Sequence, residues 1–239
     1  MDRMIKITLG IFLVILVIFV SVTSYGLLVN YLYKSSLTST YTYTCTIQTD
    51  SPITNVTLFL PLPVSLSGSS PVVEQAGKVD IPGLPDNWNA VIYGADQATF
   101  LKVTGPVIGS SGVPASITLN LNVKTHDVIN TGSPLEGGVI FRPVESARKT
   151  VCPLVSNVTY VPECSQYTTN VFAGYQSSGT GTVTIHADLD GVNAWKIFQP
   201  EYNEYRNSLD ATFSGNATGW TKASAWIESG IGSYAVPTV

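Results

Sequence analysis

The stretch ASITLNLNVKT, residues 115–125, sets Ile117, Leu119, Leu121 and Val123 at alternate positions, with Thr118, Asn120, Asn122 and Lys124 between them. Successive side chains of a strand point to opposite faces, so this period of two predicts a half-buried antiparallel strand. TVTIHADLDG, residues 182–191, repeats the pattern with Val183, Ile185, Ala187 and Leu189. TYTYTCTIQTD, residues 40–50, does so with Tyr41, Tyr43, Cys45 and Ile47, which turns Cys45 towards a core.

Less regular runs of the same kind are NVTLFLPL from Asn55, NAVIYGA from Asn89, ATFLKVTG from Ala98, GVIFRP from Gly138 and TTNVFAGY from Thr168. Gly, Pro and Ser punctuate them in PLPVSLSGSSP, IPGLPDN, GPVIGSSGVP, NTGSP and SSGTG. Many short strands parted by such turns predict an all-β domain, an antiparallel β-sandwich of Greek-key-like topology. A C-terminal hairpin is expected, with Leu209, Ala211 and Phe213 before a turn at SGNATG and residues 220–227 after it. Tyr202, Tyr205 and Leu209 have helical spacing, so one or two helical turns are expected after Pro200.

The N-terminus is different. Residues 7–33 carry no charge, and IFLVILVIFV, residues 11–20, is apolar throughout. About 20 apolar residues cross a hydrocarbon core of roughly 30 Å, so one transmembrane helix precedes the β domain. Arg3 and Lys6 place its short start in the cytoplasm and the rest outside the cell membrane, and Tyr25, Tyr31 and Tyr33 suit the outer interface. A cleaved signal peptide is the alternative, with Val22 and Ser24 before the cut; the apolar GLLVNYLY that follows favours a retained anchor. The expected division is 1–36 for cytoplasmic start and anchor and 37–239 for the extracytoplasmic domain, or two subdomains split near 130–138.

Only 12% of the residues are charged. Net charge is +2 over residues 1–36 and −6 over 37–239, which excludes nucleic acid as a partner, since phosphate neutralisation needs clustered cations. In TVCPLVSNVTYVPECSQY, Cys152 and Cys164 enclose a short loop; a bridge there stabilises by roughly 3 kcal/mol and persists outside the cell. Asn157 in that loop, Asn55 and Asn216 begin N-x-T glycosylation acceptors. Cys45 is left as a buried thiol, a partner for another chain, or a competitor for Cys152 or Cys164.

Chemistry is sparse. His186, Asp188 and Asp190 share one strand face and could converge on a divalent metal such as calcium, although Gln199 stands where a calcium loop needs its twelfth-position Glu. Solvated polar residues opposite Val183, Ile185 and Leu189 explain them equally well. His126-Asp127 has no nucleophile elbow with it, and the pairs Glu201/Glu204 and Glu136/Glu145 have the spacing of ordinary surface acids. Phosphate loops, H-E-x-x-H and C-x-x-C are absent, so no cofactor is expected beyond that possible cation. Trp88, Trp195, Trp220 and Trp226 could form a platform for sugars or a protein, or fill the core.

The short basic start, a Thr-rich stalk, SPITNVTLFLPLPV, the acceptor triplets and a Gly/Ser-rich exterior together resemble uncharacterised archaeal single-span cell-surface proteins. The resemblance implies location and fold and carries over no active residue. The expected function is a non-catalytic envelope protein for surface structure, adhesion or protein and glycan binding. Alternatives are a pilin-like filament subunit, for which MDRMIKITLG lacks a persuasive cleavage site, and an extracellular enzyme with a metal at His186, Asp188 and Asp190.

Overall fold

The computed structural model describes residues 2–78, 80–95, 98–110, 113–152, 162–177, 179 and 181–234. Helix α1 (Asp2–Ser36) comes first, then β1 (Thr38–Thr49), β2 (Ile53–Pro61), a short helix α2 (Pro71–Ala76), β3 (Asn89–Ala95), β4 (Ala98–Ile108) and β5 (Ala115–Thr125). After a 3-10 turn at Pro134–Glu136 follow β6 (Arg148–Thr150), β7 (Glu163–Ser177), β8 (Thr182–Lys196), β9 (Pro200–Ser214) and β10 (Ala217–Gly232).

Residues Arg3–Ser36 of α1 form the one helix, among the described residues, long and apolar enough to cross a membrane. No proline interrupts it, and the hydroxyls of Thr8, Ser21 and Thr23 donate back to the carbonyls of Met4, Val17 and Phe19. Those bonds leave each hydroxyl satisfied without water, as a lipid environment requires.

The strands form one antiparallel sheet in the order β3-β4-β2-β7-β10-β9-β8-β1-β5, with β6 added to β7. β8, β9 and β10 are consecutive hairpins and β7 lies beside β10, which is the Greek-key arrangement expected. The sheet folds back on itself. Flat, it would separate β1 from β2 by about 24 Å, yet only three residues join them, a span of about 14 Å at most. Pairing of β9 with β10 accordingly starts at Asp210–Ser224 rather than at their turn. Nearer the turn, Ser214 pairs with β8 and Ala217 with β7, so the hairpin splays into two layers. The crossing at that end is tied by Asp50, whose Oδ1 accepts the Thr182 N–H at 2.7 Å.

One core fills the space between the layers. It receives Tyr43, Cys45 and Ile47 from β1, Leu58 and Leu60 from β2, Val171 and Ala173 from β7, and Ile185 and Leu189 from β8. Predicted inward residues of β5 and β8 fall where expected, with Leu119, Leu121, Val183 and Ala187 all buried.

Four expectations change. The Thr-rich segment is no stalk: only Leu37 separates α1 from β1, and β1 is an inner strand between β5 and β8. No helix follows Pro200; β9 begins there, because Asn203, Tyr205, Asn207, Leu209 and Ala211 alternate inward and the polar asparagines mask the period. GVIFRP forms only one bridge, Ile140 with Val64. α2 is a helix that strand-oriented reading missed, capped by Ser70 accepting from Val73 N–H. Residues 130–138 lie between β5 and β6 of the one sheet that joins all the strands described.

The chain between β5 and β6 closes the end of the sandwich nearest α1. Its buried backbone is met by asparagines turned inward. Asn193 accepts from Ile129 N–H at 2.9 Å and donates to Ile129 O at 2.8 Å; Asn207 accepts from Phe141 N–H and Tyr167 O–H, both at 2.9 Å, and donates to Trp226 O at 2.7 Å. Asn203 accepts from Asn193 and Thr131, each at 2.8 Å. Buried polar groups must find partners, and these do.

Candidate functional site

The outer sides of the two layers differ in chemistry. On β2, residues 56, 58 and 60 face the core, which turns Phe59 outward. Register then assembles a cluster: Phe59 lies opposite Phe172 of β7, Phe172 opposite Trp220 of β10, and Phe100 of β4 opposite Tyr93 of β3. Phe59 is its centre, with ring centroids at 5.3 Å from Tyr93, 6.5 Å from Phe100, 5.2 Å from Phe172 and 5.6 Å from Trp220. Edge and tilted contacts of this kind suit the aromatic quadrupole. Lys102 Nζ sits 5.7 Å from the Phe59 centroid, a cation over the ring face.

The cluster is not sealed. Trp220 is 50% exposed and Tyr93 47%. Beside Trp220 opens a cleft of about 390 Å³ whose walls include Pro61, Thr99, Arg142, Val144 and Asn170. A flat aromatic edge next to hydrogen-bonding groups can stack a sugar ring or hold the anchor side chain of a protein.

The four tryptophans do not form a joint platform. Trp88 is buried against Gly105, where an added Cβ would come within 2.0 Å of the indole. Trp195 is buried at the junction with α1, 5.6 Å from the Tyr33 ring. Trp226 faces the opposite groove, and only Trp220 joins the cluster, with phenylalanines and a tyrosine. Alternation on β2 and β7 carried the signal for Phe59 and Phe172, but their meeting needs the strand order.

The other outer face is acidic. A shallow groove of about 760 Å³ is lined by Asp188, Asp190, Glu204, Asp210 and Glu228, with Arg206 as its cation. The predicted His186, Asp188 and Asp190 do share the outward side of β8, but β9 adds Asp210, directly opposite His186. His186 Nε2 lies 2.8 Å from Asp188 Oδ2 and Nδ1 lies 2.8 Å from Asp210 Oδ1. Both ring nitrogens are therefore engaged by carboxylates, and the imidazole offers no lone pair towards an ion shared with Asp190. Partial burial lowers the His186 pKa, but the hydrogen bonds and charges of Asp210 and Asp188 outweigh it and raise the pKa above the ordinary value. Asp190 is also raised, by burial first, with Arg206 opposing and Glu204 and Asp188 reinforcing.

Among the described residues, the group that brings His, Cys, Asp or Glu ligand atoms within 4.8 Å of one another is Cys152, Cys164 and Glu228. Its two sulfurs are joined in a disulfide, with Cα atoms 5.2 Å apart, so neither is a thiolate. Cys45 is free and fully buried, and burial pushes its thiol up to about 12. His126 is exposed; Glu201 accepts from Ser233 while Glu204 pairs with Arg206, and Glu145 pairs with Lys222.

Two acceptor asparagines lie at the end of the sandwich away from α1. Asn55, at φ 53°, donates to Gln176 Oε1 at 3.2 Å, and Asn216 accepts from Ser177 N–H at 2.7 Å; both are exposed. Asn157 lies outside the described residues. Compared with protein-family profiles, curated proteins and solved structures, the chain matches none.

Proposed function

We propose that the chain is a membrane-anchored envelope protein whose β-sandwich lies outside the cell and binds a protein or glycan through the Phe59-centred face, without catalysis. The observation that carries the proposal is that cluster, half open to water at Trp220 and Tyr93. Exposed contiguous aromatic surface is costly in water and marks interaction sites. The anchor is supported by α1, its cytoplasmic start by Arg3 and Lys6, and the exterior position by the Cys152–Cys164 bridge, which a reducing cytosol would not preserve. Likeness to archaeal single-span surface proteins favours an archaeal envelope as the setting.

The test is a photo-crosslinker placed at Trp220 and, separately, at Ser208 on the acidic face, in the full chain expressed in its native membrane. Adducts from position 220 alone support the proposal. Equal adducts at both positions, or adducts only at 208, end it.

A filament subunit is the second reading. It is favoured by the direct passage from α1 into β1 through Leu37 alone, which makes helix and domain one body, as packing into a filament requires. Intact mass separates the two: a mature start near Ile7 together with filaments in the microscope supports the filament, and a start at or near Met1 the anchor.

A further inference from the structure

We infer that the tip of the β8–β9 hairpin, residues 197–199, enters the outer lipid interface beside α1 and is a second membrane contact of this protein. The inference rests on the membrane-spanning reading of α1. It starts from a docking that the β domain makes along the last three turns of the helix. Ser36 Oγ donates to Lys196 O at 3.0 Å and accepts from Lys196 N–H at 2.9 Å. Tyr33 meets Trp195 edge-on at 5.6 Å, and Tyr25 stacks on Phe198 at 6.4 Å. Val29, between those two tyrosines, is only 3% exposed. The hairpin thus runs down the helix towards the membrane, not across its end.

How far down follows from the charge on Lys6, which cannot enter hydrocarbon without a large cost. A core of roughly 30 Å takes about 20 helical residues, so counted from Ile7 it reaches at least to Gly26, and tilt carries it further. Tyr25 is then at or inside the outer boundary, and Phe198, stacked on it, shares that depth. Tyr33 and Trp195 lie about 12 Å higher, on the water side of the boundary.

The composition of the tip agrees. Residues 197–200 are Ile, Phe, Gln and Pro, with no charge. Phe198 remains 68% exposed despite its contact with Tyr25, and Tyr31 is also 68% exposed. Lys196, exposed one residue before the tip, can lay its methylenes on the interface and reach upward to phosphates. A bilayer is the partner that covers apolar surface continuous with a spanning helix. The consequence is mechanical: helix plus hairpin hold the domain in a fixed pose, which turns the Phe59-centred face in one direction relative to the surface.

The experiment is spin-label depth measurement on the full chain in phosphatidylcholine–phosphatidylglycerol vesicles. An introduced cysteine labels selectively, because Cys152 and Cys164 are bonded and Cys45 is buried with its thiol pushed up to about 12. Labels go at Phe198→Cys, at Gln199→Cys in case the first label disturbs the stack, at Val14→Cys in mid-helix and at Ser214→Cys at the far end. The expected result is collision with oxygen, relative to a water-soluble nickel complex, several-fold higher at 198 and 199 than at 214. Water-like values at both 198 and 199 with a lipid-buried Val14 label overturn the inference and leave the span intact. A water-exposed Val14 label overturns both.

Discussion

The two outer faces of the sandwich begin from the same constraint and end in opposite chemistry. Each consists of the strand positions left over when alternate residues fill a shared core. On β2, β7 and β10 those positions hold Phe59, Phe172 and Trp220; on β8 and β9 they hold His186, Asp188, Asp190 and Asp210. The shared core lies beneath both. Polar residues are the default on a solvated face, so the acidic side is explained by solubility, with His186 relieving repulsion between Asp188 and Asp210. The aromatic side departs from that default, and the departure is the reason to look for a partner there.

The largest expected effect lies beneath both faces and would break the premise that they share one foundation. Asn207→Ala strands the Phe141 N–H, the Tyr167 O–H and the Trp226 carbonyl, and at roughly 1–3 kcal/mol for each orphaned group it should cost about 4 kcal/mol. Denaturant unfolding of the detergent-solubilised chain measures it, and a loss below about 1 kcal/mol would mean that the closing segment is not held from β9.

Next comes Phe59→Ala, which removes the ring around which four others gather and should cost about 3 kcal/mol. Trp220→Ala sharpens the contrast between packing and binding. Half exposed, it should cost only about 1 kcal/mol in unfolding while abolishing partner adducts at that face. If adducts survive, the cluster is packing that happens to face water.

His186→Asn probes the acidic face through pH. The folded pKa of His186 is raised, so its stabilising contribution is complete below the ordinary value of about 6.5 and is lost as pH rises through the folded value. The wild-type unfolding midpoint should fall across that window and the variant should be flat there. A parallel fall in both assigns the slope elsewhere. Smallest of all, Lys222→Ala breaks an exposed pair with Glu145 and should leave the unfolding midpoint where it is in the wild type.

Several features were legible from single stretches. Val183, Ile185, Ala187 and Leu189 announce β8, and Cys152 with Cys164 announces the bridge, because strand alternation and short-loop closure depend on neighbours in sequence. The first half of β9 was not legible: Asn203 and Asn207 occupy inward positions where an apolar residue was expected, and their partners Thr131 and Phe141 lie 72 and 66 residues away. The metal reading of His186 failed to foresee Asp210 for the same reason. Residue 210 reaches residue 186 only because β8 and β9 pair in one particular register.

What the sequence by itself determined is the charge-free helix, the all-β character of the rest and the inward or outward sense of most strand residues. Each follows from a period or a length that the backbone imposes locally. Only the tertiary structure decided that Phe59, Phe100, Phe172 and Trp220 meet, that Asp210 completes the His186 pair, and that Phe198 lies against Tyr25. Strand order and register decide those meetings. They are set by how the whole sheet folds back to bury its inner face, a global balance that no short stretch contains.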